Sequence, residues 1–201
     1  MKTKLFLVLF SWLLFSQGLF ADSPLTSTNF SEAYADSKIV QLASTTEGIL
    51  TVELMDYLDQ SMHPIELKMA VINQIGWDLS GYNNADSFFE YLQKKYGFKD
   101  KDEFRQHANA DLLISMAYLM AMDDYFNVEE AVIYAKEAKS RNKESYTINI
   151  ICALIEAQNA FGSDWSEVYN QTNEVRNNRS LNRDMKEDAV KIIFEYMDLY
   201  K

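Results

Sequence analysis

Residues able to do chemistry are few in this chain. Its 201 residues include two histidines, His63 and His107, and one cysteine, Cys152. A zinc centre needs His, Cys or carboxylate ligands at short, defined spacing. HExxH, a cysteine pair and a histidine pair at ligand spacing are all missing, so no metal is expected. A glycine-rich phosphate loop and a GxSxG elbow are missing too, which leaves no cofactor to expect. Cys152 shares a helical face with Ile148, Ile151 and Ile155 and reads as a packed thiol. Cys152 and His107 have the residue types of a nucleophile and its base, but no spacing joins them.

Carboxylates are more numerous. Asp123-Asp124 and Glu129-Glu130 flank one short turn. Acids this close could hold Ca²⁺, but the alternating ligand loop and its turn glycine are absent. Glu129 and Glu130 suit the first turn of a helix, where negative charge meets the positive end of the dipole. A carboxylate pair acting on a sugar would use residues of this kind, and no one pair stands out.

Two further groups read as contact surfaces. Lys136, Lys139, Arg141 and Lys143, then Arg176, Arg179, Arg183 and Lys186, form basic clusters. They either complement helix C-termini or form an edge that grips an acidic partner. Trp77 and Tyr82 belong to a stretch rich in Gly and Asn, where an aromatic is free to make contacts. The candidate partner-binding residues are therefore Trp77, Tyr82, Arg176, Arg179 and Arg183.

The elements that place these residues are helical throughout. Helices are expected over 31–43, 44–60, 64–75, 87–96, 100–125, 127–140, 145–161, 164–175 and 183–200. Ser44-Thr45-Thr46-Glu47 has capping-box spacing, Pro64 suits a helix start, and Gly97 suits a helix end. Asp86, Asn127 and Ser163 are the expected caps of their helices. No stretch alternates as a half-buried strand does. Six Gly and two Pro fit helices joined by short loops.

The chain also matches itself at an offset of 36 residues. Leu112, Ile114, Ala117, Leu119 and Ala121 fall on Ile148, Ile150, Ala153, Ile155 and Ala157, and Ala153 falls in turn on Ala189. This gives two helical hairpins and a closing helix, with the alanines as points of close approach. Ala117, Ala131 and Ala138 occupy the small-residue places of a tetratricopeptide-type motif, without that family's Trp, Gly and Pro landmarks. Residues 110–200 thus resemble tetratricopeptide-type repeats. The resemblance implies an all-α stack of antiparallel hairpins whose concave face takes a peptide or protein. A helical bundle of similarly patterned hairpins is the alternative.

Lys2 and Lys4 precede a charge-free apolar run over 5–21 that ends at Ala21, the order of a secretory signal peptide. A spanning helix wants roughly 20 apolar residues, so cleavage is expected rather than anchoring, with no stable membrane insertion afterwards. The expected organisation is a leader over 1–21, a flexible linker over 22–30 and one helical domain over 31–201. Without the two leader lysines, the formal charge moves from −11 to about −13, which disfavours nucleic acid and anionic membrane as partners. One cysteine allows no intrachain disulfide, which fits a bacterial periplasm or secretion. The resulting expectation is an exported helical-repeat protein that binds a protein or peptide. The alternatives are a carboxylate-dependent envelope hydrolase and a small inhibitor or protective protein for one partner.

Overall fold

In the computed structural model the described residues are 23–201; the expected leader over 1–21 lies outside them. Their regular structure is all-α, as expected, with no strand among the described residues. A 3-10 turn, Phe30–Tyr34, is followed by α1 (Lys38–Ala43), α2 (Val52–Asp59), α3 (Ile65–Ile75), α4 (Asn84–Tyr96) and α5 (Lys101–His107). Then come α6 (Ala110–Asp123), α7 (Glu129–Arg141), α8 (Tyr146–Ala160), α9 (Trp165–Asn177), α10 (Glu187–Met197) and a closing 3-10 turn, Asp198–Tyr200. Among the described residues no helix is long and apolar enough to cross a membrane.

The 36-residue spacing is visible in the elements themselves. Asn109 and Ser145 are N-caps 36 residues apart, and their side chains accept the Leu112 and Ile148 N–H groups. α7 and α9 begin at Glu129 and Trp165 and end at Arg141 and Asn177, again 36 apart. Ala117, Ala153 and Ala189 are all buried. α6 packs on α7, α8 on α9, and α7 on α8. Short connections force each pair to run antiparallel.

Several expected boundaries move, each for a local reason. The helix expected over 100–125 breaks at Ala108, whose backbone is extended, because Asn109 caps a new helix. Ser44–Thr46 and Glu47 open no helix; Glu47 and Gly48 take positive φ, and α2 starts only at Val52. Asp164, not Ser163, caps α9 by accepting the Ser166 and Glu167 N–H groups. Val128, not Asn127, stands at the start of α7. Asp86 gives α4 no cap; Oδ2 of Asp123, from α6, accepts the Ala85 N–H at 2.7 Å instead. The last helix starts at Glu187 rather than 183, because Asn182 ties the preceding loop to Glu144 and Tyr146.

The largest correction concerns the expected linker over 22–30. Residues 23–26 and 28 are buried, and Leu25 and Phe30 have no exposed surface. The 3-10 turn packs on α3 and α10, and α3 packs on α6 and α8. The beginning of the described chain therefore covers the first helix of each hairpin. This is why α6 and α8 are buried nearly all round, whereas α9 buries only Val168, Thr172 and Val175. The face expected to be an open concave groove is filled by the chain itself.

Candidate functional site

Tyr82 lines one open cleft of about 310 Å³, small for a ligand site, whereas Trp77 is not part of its lining and reaches it only through the Tyr125 ring. The cleft lies between the loop 78–82 and the α6–α7 turn, and it is lined by Asp78, Leu79, Tyr82, Asp123, Asp124 and Phe126 among others. The two walls are joined through the backbone. The Tyr82 N–H donates to the Asp123 carbonyl at 3.2 Å. Gly81, at φ +77°, allows this close approach, since a Cβ there would sit 2.9 Å from the same oxygen.

Each acid of the cleft also organises its own turn. Asp78 Oδ1 accepts the Ser80 N–H at 2.8 Å and the Ser80 hydroxyl. Those bonds hold its carboxyl below the ordinary carboxylate range. Asp124 Oδ1 accepts the Phe126 N–H at 3.1 Å, and Oδ2 accepts Asn127 Nδ2 at 2.8 Å. Asp123 is different. Burial pushes its carboxyl up to about 6, against the lowering effect of the Ala85 and Asn84 amides. Oδ1 of Asp123 is buried and accepts no hydrogen bond.

Large apolar side chains stand exposed beside these acids. Leu79 is 66% exposed and Phe126 is 62% exposed. Phe126 rests on Tyr125 at 4.3 Å between ring centroids, and Tyr125 meets the edge of Trp77 at 5.0 Å. Trp77 is only partly exposed, because Nε1 donates to the Thr26 carbonyl at 3.3 Å. Tyr82 is also half-buried, with its ring against Gly48.

The basic residues are drawn into the fold rather than gathered as a free edge. Arg176 bonds Asp198 at 2.7 Å and lies over the Phe194 ring at 4.1 Å. Arg183 lies over the Tyr146 ring at 4.5 Å and donates to the Arg176 and Asn178 carbonyls. Arg141 donates to the Arg105 and Gln106 carbonyls at the end of α5, and Lys186 pairs with Asp36 at 3.1 Å. Arg179 is exposed. Arg141 and Arg176 lie in the last turns of α7 and α9, as expected of cations at helix C-termini, whereas Lys186 precedes the start of α10.

Cys152 is fully buried on α8, and burial together with the nearby Glu156 carboxylate pushes its thiol up to about 12. A reactive thiolate needs the opposite environment. His107 lies on α5, where Nδ1 contacts the Glu103 carbonyl, and His63 stacks on Tyr57 at 3.9 Å. Among the described residues, no group of His, Cys, Asp or Glu is arranged to hold a metal ion.

Sequence reasoning passed over three buried polar side chains that turn out to be central. Lys68 and Asn73 lie on the apolar stripe of α3, and Gln158 extends the Cys152 face of α8. A polar residue on an apolar helix face is the signal that could have found them. Set against protein-family models, characterised proteins and solved structures, the chain has no match.

Proposed function

We propose that the protein is an exported binding module of the cell envelope or the extracellular space. It takes a segment of a protein partner in the cleft between the loop 78–82 and the α6–α7 turn. The observation that carries this reading is the exposure of Leu79 and Phe126, both of which line a cleft bordered by Asp78 and Asp124. Isolated exposed apolar residues are ordinary, but two that converge on a concavity beside aromatic rings suit a contact surface. The acids set the sign of the partner, which presents Lys or Arg next to an apolar side chain. The excess of acids over the whole chain acts in the same direction at longer range. On this reading Trp77 and Tyr82 support the cleft, and the edge containing Arg176, Arg179 and Arg183 is secondary.

The test is fluorescence anisotropy with the chain lacking its leader. Lys/Leu-containing peptides are compared with counterparts in which Glu replaces Lys. Support is saturable binding of the cationic peptides that the double change Leu79→Ser and Phe126→Ser weakens at least about tenfold. Equal binding of the Glu peptides, or indifference to the double change, overturns it. Tight binding to one protein without any peptide affinity moves the assignment to the inhibitor reading.

One observation favours a hydrolase instead. A carboxyl held near pH 6, as Asp123 is, has the behaviour wanted of a general acid. Its Oδ2 is already engaged by Ala85 and its Oδ1 is shielded from solvent, so substrate would have to displace the start of α4. A glycan hydrolysis screen that finds turnover, abolished by Asp123→Asn, would establish that alternative.

A further inference from the structure

Residues 23–34 lie on the helical body much as a bound peptide lies in a receptor. At least five hydrogen bonds join the body to the segment's main chain, one of them from Lys186 Nζ to the Ala33 carbonyl at 3.1 Å. The Leu25 N–H donates to Gln158 Oε1 at 3.3 Å, and the Thr26 carbonyl accepts from Trp77 Nε1 at 3.3 Å. Asn73 then grips the segment twice, with Nδ2 donating to the Thr28 carbonyl at 3.0 Å and Oδ1 accepting the Ser31 N–H at 2.8 Å. Bonds of this kind read a backbone and leave the side-chain sequence open.

Selectivity comes from three anchors. Leu25, Phe30 and Tyr34 are fully buried, while Asn29 and Glu32 between them are exposed. Phe30 stacks on Tyr118 of α6 at 6.3 Å, and Asn73 Nδ2 also donates to the Tyr118 hydroxyl at 2.9 Å. Tyr34 donates to Glu66 at 2.7 Å and accepts the Lys186 N–H at 3.0 Å. The segment has no α-helix of its own, and Ala35 and Asp36, which join it to α1, are exposed. Its three anchors join the same apolar core as the helices, while its main chain is held by side chains of the body rather than by a helix of its own.

We propose that the face formed by α3, α6, α8 and the start of α10 is a peptide-binding site occupied in cis by residues 23–34. Its ligand class is a peptide with apolar anchors spaced as Leu25, Phe30 and Tyr34 are. The tether keeps the resident segment at a local concentration of about millimolar, so a free peptide enters only when the segment has left. This site is separate from the cleft at Leu79 and Phe126, and either assignment can fail without the other.

The test uses the whole chain with a protease site placed at residues 35–37, cut after folding. A fluorescent peptide of residues 23–35 is then added and anisotropy is read. The expected result is saturable exchange into the cut protein, at least about tenfold weaker in the uncut chain because of the tether. Changing Phe30→Ser and Tyr34→Ser in the peptide abolishes it, whereas Leu79→Ser with Phe126→Ser in the protein leaves it unaltered. Collapse of helical circular dichroism on cutting, or retained helicity with no exchange, overturns the proposal. Hydrogen exchange on the intact, uncut chain gives an independent reading. The Leu25 and Ser31 amides should exchange at least about a hundredfold faster than those of Ile151 and Cys152 in α8; equal rates mean the segment leaves only on global unfolding and refute a separable ligand.

Discussion

Lys68 has no exposed surface, and its Nζ lies 3.1 Å from Oδ2 of Asp111, in the first turn of α6. The pair ties α3 to α6 and is asymmetric, since the Asp111 side chain keeps 26% of its surface in water. Asp111→Ala would leave a buried ammonium without its partner, at a cost of about 3–5 kcal/mol. Lys68→Met keeps the packed stem and leaves a carboxylate that water and the helix dipole still stabilise, at a cost of about 1 kcal/mol. Urea unfolding of the two variants checks the ranking. The reverse order would mean that the carboxylate, not the ammonium, depends on the pair.

Asp123 makes stability depend on pH in an unusual direction. Its folded carboxyl is raised to about 6 by burial, whereas an unfolded Asp titrates near about 4. Between those values the native state holds a proton that the unfolded chain has released. Stability from this group therefore falls as pH rises from about 4 to about 6 and returns on acidification. Asp123→Asn keeps an acceptor for the Ala85 N–H and removes the titration. The variant should match the parent near about pH 4 and exceed it by about 1–2 kcal/mol at about pH 7. Because the difference between two chains is read, Asp36, Asp78, Asp164 and Asp198, whose carboxyls are held low, cancel. A constant difference across pH would contradict the prediction.

Gly48 and Tyr82 make a paired test of packing. Gly48 has φ +86°, and a Cβ there would collide with the Tyr82 ring and hydroxyl. Gly48→Ala should cost about 1 kcal/mol for the left-handed backbone and about 1–3 kcal/mol for the overlap. Adding Tyr82→Ala to Gly48→Ala removes only the overlap. A double-mutant cycle by thermal unfolding should give a coupling of about 1 kcal/mol or more. Strict additivity would mean that the ring moves aside freely.

Cys152 should be inert in the folded protein. Its thiol is fully buried and pushed up to about 12, so almost no thiolate exists at neutral pH. Ellman's reagent should react only at the rate of unfolding and at full stoichiometry in denaturant. Fast native labelling would restore a chemical role to the residue.

Much of the helical layout was legible because it depends on neighbours in sequence. The offset of 36 residues and the Gly97 stop follow from local periodicity and helix-end chemistry, and the elements carry both. Trp77 and Tyr82 were legible as loop aromatics; Tyr82 lines the cleft, while Trp77 stands behind it against Tyr125. The basic clusters were legible as helix-end charges, but not their partners. Asp198 beside Arg176 and the Tyr146 ring under Arg183 come from other elements.

Residues 23–34 mark the limit most clearly. Their first part is polar and contains Pro24, which reads as a linker, and their last residues, from Ser31, read as the start of a helix. Only the tertiary structure decided that they fill the face of α3, α6 and α8. Asn73, Trp77 and Gln158 supply distant hydrogen-bonding partners for their main chain. The physical reason is range. Helix formation is settled by groups within a few residues of each other, whereas burial of a backbone segment needs partners for its N–H and C=O groups, and here those partners come from across the fold.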